Sequence, residues 1–134
     1  MHTVYRSNSY IPELVLTTKK LAKEYGFTDS CTDEFGRLLR ALVGPVKGSI
    51  LEIGTGFGVS TSWIVSSMSS NHTNLISIDK QQNQINAIAP LFSHAKVEFI
   101  ASDWKKIKHK GPIVSFLLML KMQRKQMLRS YSSF

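Results

Sequence analysis

Three glycines at alternate positions, Gly54, Gly56 and Gly58, follow the short apolar run 49–53 and precede a stretch with helical character from Ser60. Glycine reaches φ > 0 without strain and has no Cβ to hold a neighbour away. A strand entering such a turn and a helix leaving it form one βα unit. The free N–H groups of that helix's first turn face whatever lies over the turn, and they favour an anion. The remaining elements have to be placed around this unit.

Hydrophobic periodicity supplies them. Residues 12–25 carry Leu14, Leu21 and Tyr25 at near-helical spacing, with Pro12 suited to a first turn and Gly26 to a stop. A second helix starts at Thr32, which can cap it. Asp33 and Glu34 lie where the helix dipole favours acids, and Gly44-Pro45 ends it. Its Phe35, Leu38, Leu39 and Leu42 predict the core-facing stripe. Then come a strand over 49–53, a helix over 60–68 with Trp63, Ile64 and Met68 inward, and a strand over 75–78 ending in Asp79. A helix over 81–92 on Ile85, Ile88, Ala89 and Phe92 and a strand over 97–100 ending at Ser102-Asp103-Trp104 complete the series. Strands alternating with helices imply a parallel sheet with right-handed crossovers. Ligands of such sheets bind beyond the carboxyl ends of the strands, where the segment from Glu52 to Gly58, Asp79 and Asp103 all fall.

The chain has 134 residues, enough for one domain, and a formal net charge of +8. That charge is local. Residues 1–104 hold nine Lys or Arg and nine Asp or Glu, whereas residues 105–134 hold eight Lys or Arg and no acid. No stretch is long and apolar enough to predict a membrane span, and the first ten residues lack the apolar block of a secretory signal. With Cys31 as the single cysteine, a cytoplasmic location is expected. Cys31 is expected to be a small inert residue, since no His stands beside it in sequence to activate it.

Three groups are candidates for chemistry. The glycine spacing is G-x-G-x-G, with Val59 where dinucleotide-binding turns place their third glycine, so a nicotinamide-dependent oxidoreductase is the weaker alternative. S-adenosylmethionine has no phosphate. Its carboxylate and ammonium can be met by helix N–H groups and a nearby acid. Asp79 at the end of the next strand can accept hydrogen bonds from both ribose hydroxyls without a metal. Asp103 can accept from the exocyclic amine of adenine while Trp104 covers the ring. The structural alternatives are a turn with no ligand, an Asp closing a strand, and an Asp capping a helix beside a packed aromatic.

The string L-E-I-G-T-x-x-G-x-S-T-x-W, Leu51 to Trp63, resembles the opening motif of the class I O-methyltransferases related to catechol and caffeoyl-CoA methyltransferases. The segment from Asp33 to Leu39 resembles the helix before their first strand. The resemblance covers about residues 28–112. It implies a Rossmann-like fold, S-adenosyl-L-methionine as cofactor and a small hydroxylated acceptor as partner. It also implies that Gly54, Thr55, Gly56 and Gly58 line the cofactor, that Ser60 hydrogen-bonds its carboxylate and that Glu52 lies near its ammonium. Asp79 would hold the ribose, and Ser102, Asp103 and Trp104 would border the adenine.

The end of the chain departs from that pattern. In the family a fourth strand ends in an Asp beside the transferred methyl group, and in cation-dependent members this Asp binds the divalent metal. Here residues 113–120 are apolar and contain no acid. No catalytic residue and no metal ligand are therefore assigned. The expected architecture is an α/β Rossmann-like parallel sheet with flanking helices, truncated after the third or a pseudo-fourth strand. Residues 1–112 form its N-terminal helices and cofactor-binding half, and residues 113–134 form an apolar and then basic tail. A shift of reading frame near Pro112 would account for the abrupt change in charge. The run 113–120 is expected to lie beside the first strand, whose flank it would cover. The basic end is expected to be solvated rather than to contact nucleic acid. Turnover by this chain is expected to be impaired.

Overall fold

The computed structural model describes residues 10–106 and 117–119. Helices α1 (Glu13–Glu24) and α2 (Asp33–Val43) lead into strand β1 (Gly48–Ile53). Helix α3 (Val59–Ser67), strand β2 (His72–Asp79), helix α4 (Gln82–Ile88) and strand β3 (Val97–Ala101) follow, and β4 (Leu117–Met119) closes the series. The strands form one parallel sheet in the order β3-β2-β1-β4. The expected α/β architecture is therefore present. Leu117–Met119 pairs with Leu51–Ile53, so the apolar run does supply a strand beside β1. The basic end, 120–134, lies outside the described residues. No helix among the described residues is long and apolar enough to cross a membrane.

Period-2 alternation sends Ile50 and Leu75 to the helical side of the sheet, where they pack with Leu39, Val43 and Ile64. A second cluster joins α1, the glycine turn, α3 and α4 through Val15, Ala22, Phe57, Val59, Trp63, Ile88 and Phe92. Helix α3 is the centre of both. It is only nine residues long, and its first six are all buried.

Two helices turn other faces inward than their large apolar residues predict. On α2 the inward line is Gly36, Leu39 and Val43, while Phe35, Leu38 and Leu42 are exposed. Gly36 is the reason: a Cβ there would stand 2.2 Å from the Trp63 ring, so α2 lies directly against the largest fully buried side chain of α3. Close contact outweighs the number of apolar groups on the competing face. On α1 the buried residues are Val15, Thr18 and Ala22, with Leu14 and Leu21 half-buried and Tyr25 exposed. Here too small residues let the helices approach, and the Thr18 and Ser62 hydroxyls hydrogen-bond at 3.0 Å. The expected helix over 81–92 is α4 followed by a 3-10 turn, Ala89–Phe92. Pro90 has no N–H to continue the α ladder. The Thr32 cap is present, its hydroxyl accepting the Phe35 N–H at 3.3 Å.

Candidate functional site

The three strand tips adjoin, because β1 pairs with β2 through Ile53 and Ile78 and β2 pairs with β3 through Asp79 and Ala101. The chain leaves β1 through a turn with Gly54, Gly56 and Gly58 all at positive φ, at 94°, 54° and 78°. Only glycine holds three such positions at alternate sites without strain. Gly54 donates its N–H to the Ile78 carbonyl at 2.7 Å, and Gly58 donates to Thr55 at 2.9 Å. Ser62 then makes the first backbone bond of α3, to Gly58 at 2.8 Å. The N–H groups of Val59, Ser60 and Thr61 precede that bond and stand at the positive end of the helix dipole.

From their spacing these glycines are expected to admit a ligand at backbone distance. The structure gives two of them a reason inside the protein. A Cβ at Gly56 would lie 3.2 Å from the Phe27 ring, and one at Gly58 would lie 2.8 Å from Ile88 and 3.1 Å from Phe92. Between them Phe57 is buried against Phe27 and Tyr25, with ring centroids 5.2 and 5.1 Å away. The turn is thus wedged between the C-terminal end of α1 and the α4 region.

Glu52 is wholly buried beneath the turn. Its carboxylate accepts hydrogen bonds from Ser60 at 2.7 Å, from Ser77 at 2.6 Å and from Thr61. Burial pushes this carboxyl above its ordinary range, the three hydroxyls pull it partly back, and Asp79 nearby adds to the rise. Glu52 therefore reaches the turn's surroundings through hydroxyls and not as an open anion. The Ser60 hydroxyl, expected on a ligand carboxylate, gives its proton to Glu52 instead. What α3 offers an anion is its backbone N–H groups.

Asp79 stands between two backbones. One oxygen accepts the Gly56 N–H at 2.9 Å and the other accepts the Gln81 N–H at 3.0 Å. A carboxylate has about four acceptor directions, so two remain on this half-buried group. Just past β3, Ser102 donates its N–H to the Asp79 carbonyl at 2.9 Å, which ties the second and third tips together. Asp103 accepts the Lys105 N–H at 3.0 Å and faces Lys80 at 3.7 Å. The Lys105 N–H holds its carboxyl below the ordinary range, with the charges of Lys80, Lys105 and Lys106 acting the same way. Trp104 is 38% exposed beside it. Among the described residues no three His, Cys, Asp or Glu gather as a metal site would need. Burial pushes the Cys31 thiol up to about 12, and Glu52 and Asp33 add to the rise, so it is a poor nucleophile.

Sequence reasoning missed Ser77, Thr61 and Phe27. Ser77 had a signal, as the one hydroxyl within the apolar run Leu75–Ile78, whereas Phe27 had none.

No protein-family model and no curated protein matches the sequence. Solved structures do. The O-methyltransferase TomG from Streptomyces achromogenes, involved in tomaymycin synthesis and solved with SAM, is 18% identical at a TM-score of 0.69, covering 90% of this chain and 59% of its own. An O-methyltransferase from Bacillus cereus solved with SAH is 18% identical at a TM-score of 0.67, over 93% of this chain and 63% of its own. A protein from Corynebacterium glutamicum is 24% identical at a TM-score of 0.61, over 72% of this chain and 48% of its own. The chain thus spans about half to three-fifths of the length of these structures, and over that span it shares their Rossmann-like fold, which two of them, both O-methyltransferases, present with SAM or SAH bound.

Proposed function

We propose that the chain is the S-adenosylmethionine-binding part of an O-methyltransferase whose acceptor is a small hydroxylated molecule. The observation that carries the proposal is the position of Asp79. It joins the crest of the glycine turn to the tip of the neighbouring strand and keeps acceptor directions in reserve. Structural neighbours with SAM or SAH bound support the same cofactor.

The residues fit such a ligand. Asp79 would take the ribose hydroxyls. The N–H groups from Val59 to Thr61 would meet the carboxylate. Gly54, Thr55, Gly56 and Gly58 would line the amino-acid end. Glu52, beneath the turn, would act on the ammonium end through the Ser60 and Thr61 hydroxyls that it holds. Ser102, Asp103 and Trp104 would border the adenine. When bound, the cofactor supplies a methyl group on a sulfonium, open to attack by an oxygen nucleophile. The described residues bind and orient, and that is their contribution to catalysis.

Calorimetric titration tests the proposal. S-adenosylmethionine is expected to bind and to bind more tightly than NAD. Tighter binding of the dinucleotide would overturn the assignment in favour of an oxidoreductase.

A further inference from the structure

Ser77 is an anomaly in its strand. It is fully buried, as are Glu52 and, within 1%, Thr55. A hydroxyl in such a place is costly unless its hydrogen-bonding capacity is used. Here it is used in one direction. Ser77 is the Cα partner of Glu52 across the β1–β2 ladder, and it gives its single proton to the Glu52 carboxylate at 2.6 Å. Its contact with Thr55 at 2.7 Å must then run the other way, from the Thr55 hydroxyl to Ser77. The chain Thr55 to Ser77 to Glu52 meets the bonds from Ser60 and Thr61 at the same carboxylate.

Thr55 stands between Gly54 and Gly56, both at positive φ, and its side chain holds that segment from below, beside the backbone bond from Gly54 to Ile78. Asp79 fixes it separately, at Gly56. The two supports act on different parts of the proposed ligand site. The Thr55–Ser77 contact holds the first part of the turn and meets, at Glu52, the bonds from Ser60 and Thr61 at the start of α3, which would face the amino-acid end. Asp79 would face the ribose.

We propose that Ser77 is a positioning residue, which through the Thr55 hydroxyl holds the glycine turn in the shape that receives the amino-acid end of the cofactor. This rests on the proposed function above. Ser77 does not touch the ligand. Its removal orphans the Thr55 hydroxyl and takes a donor from a buried carboxylate, and both losses act on the turn.

The experiment compares S-adenosylhomocysteine with adenosine, which lacks the amino-acid end, by titration of the full chain. In Ser77→Ala and in Thr55→Val the Kd for S-adenosylhomocysteine is expected to rise about tenfold, while that for adenosine changes by less than about twofold. Equal losses for both ligands, or none for either, would overturn the proposal. Thr55→Val is the nearly isosteric variant and serves if Ser77→Ala does not fold. If the unaltered chain binds neither ligand, the cofactor assignment falls, and the support is read instead from hydrogen exchange of residues 54–61 in the free protein. Faster exchange there in both variants, with α2 unchanged, upholds the hydroxyl support. Unchanged exchange refutes it.

Discussion

Asp79 accepts the N–H of Gly56 at 2.9 Å, so the tip of β2 and the crest of the turn after β1 form one hydrogen-bonded unit. Strand pairing alone would bring the two tips near each other. The carboxylate fixes how the turn lies over them, and it acts where a ribose would be held.

Asp79→Ala removes acceptors for two backbone N–H groups and for the proposed ribose contact. The Kd for S-adenosylmethionine is expected to rise by about two orders of magnitude, from loss of two charge-assisted bonds. Asp79→Asn, which keeps one acceptor oxygen, should lose less. Isothermal titration of both variants checks the order. Equal affinity in Asp79→Ala and the unaltered chain would remove Asp79 from the site.

Gly36→Ala tests why α2 faces as it does. The added methyl group would stand 2.2 Å from the Trp63 ring, which is fully buried, so one of the two has to shift. Overpacking of this kind should destabilise the protein by about 1–3 kcal/mol in urea unfolding. Leu38→Ala, on the exposed side of the same helix, should cost less than about 1 kcal/mol.

Gly58 and Gly26 share a positive φ, at 78° and 70°, but differ in surroundings. A methyl group at Gly58 would meet Ile88 at 2.8 Å, whereas one at Gly26 would meet nothing within 4 Å. Gly26→Ala should therefore cost about 1 kcal/mol from backbone strain alone, and Gly58→Ala should cost more by about 1–3 kcal/mol from packing. Thermal melts of the two variants give the comparison directly.

Glu52 makes a pH prediction with a definite sign. Its folded-state pKa lies above its ordinary value of 4.5, chiefly through burial. Between those two values the native state binds more protons than the unfolded chain, so stability falls as pH rises through the window. Glu52→Gln lacks this dependence. The stability of the unaltered chain relative to Glu52→Gln should thus decline as the pH is raised from 4 toward neutrality. A relative gain over that range would contradict the account.

The sequence made some parts of this structure plain and hid others for physical reasons. The alternation of strands and helices, the cap at Thr32 and the alignment of positions 54, 79 and 103 at one edge of the sheet all follow from local patterns. The inward faces of α1 and α2 do not. They are decided by the fit of Gly36 to Trp63 and of Thr18 to Ser62, and no periodicity in either helix encodes a partner that lies elsewhere in the chain. The glycine turn was legible as a turn, but the rings that crowd Gly56 and Gly58 come from Phe27, Ile88 and Phe92. Ser77 is the intermediate case. It is visible as an oddity in its strand, yet explicable only once Glu52 is seen across the ladder.

The central claim is that the ends of three neighbouring strands receive one sulfonium nucleoside. Amide chemical shifts followed by NMR during titration with S-adenosylmethionine test it most directly. The account predicts that the amides of 54–61, 79–81 and 102–104 shift together with a single affinity while those of α2 stay in place. Shifts confined to another face of the sheet, or none at saturating ligand, would contradict it.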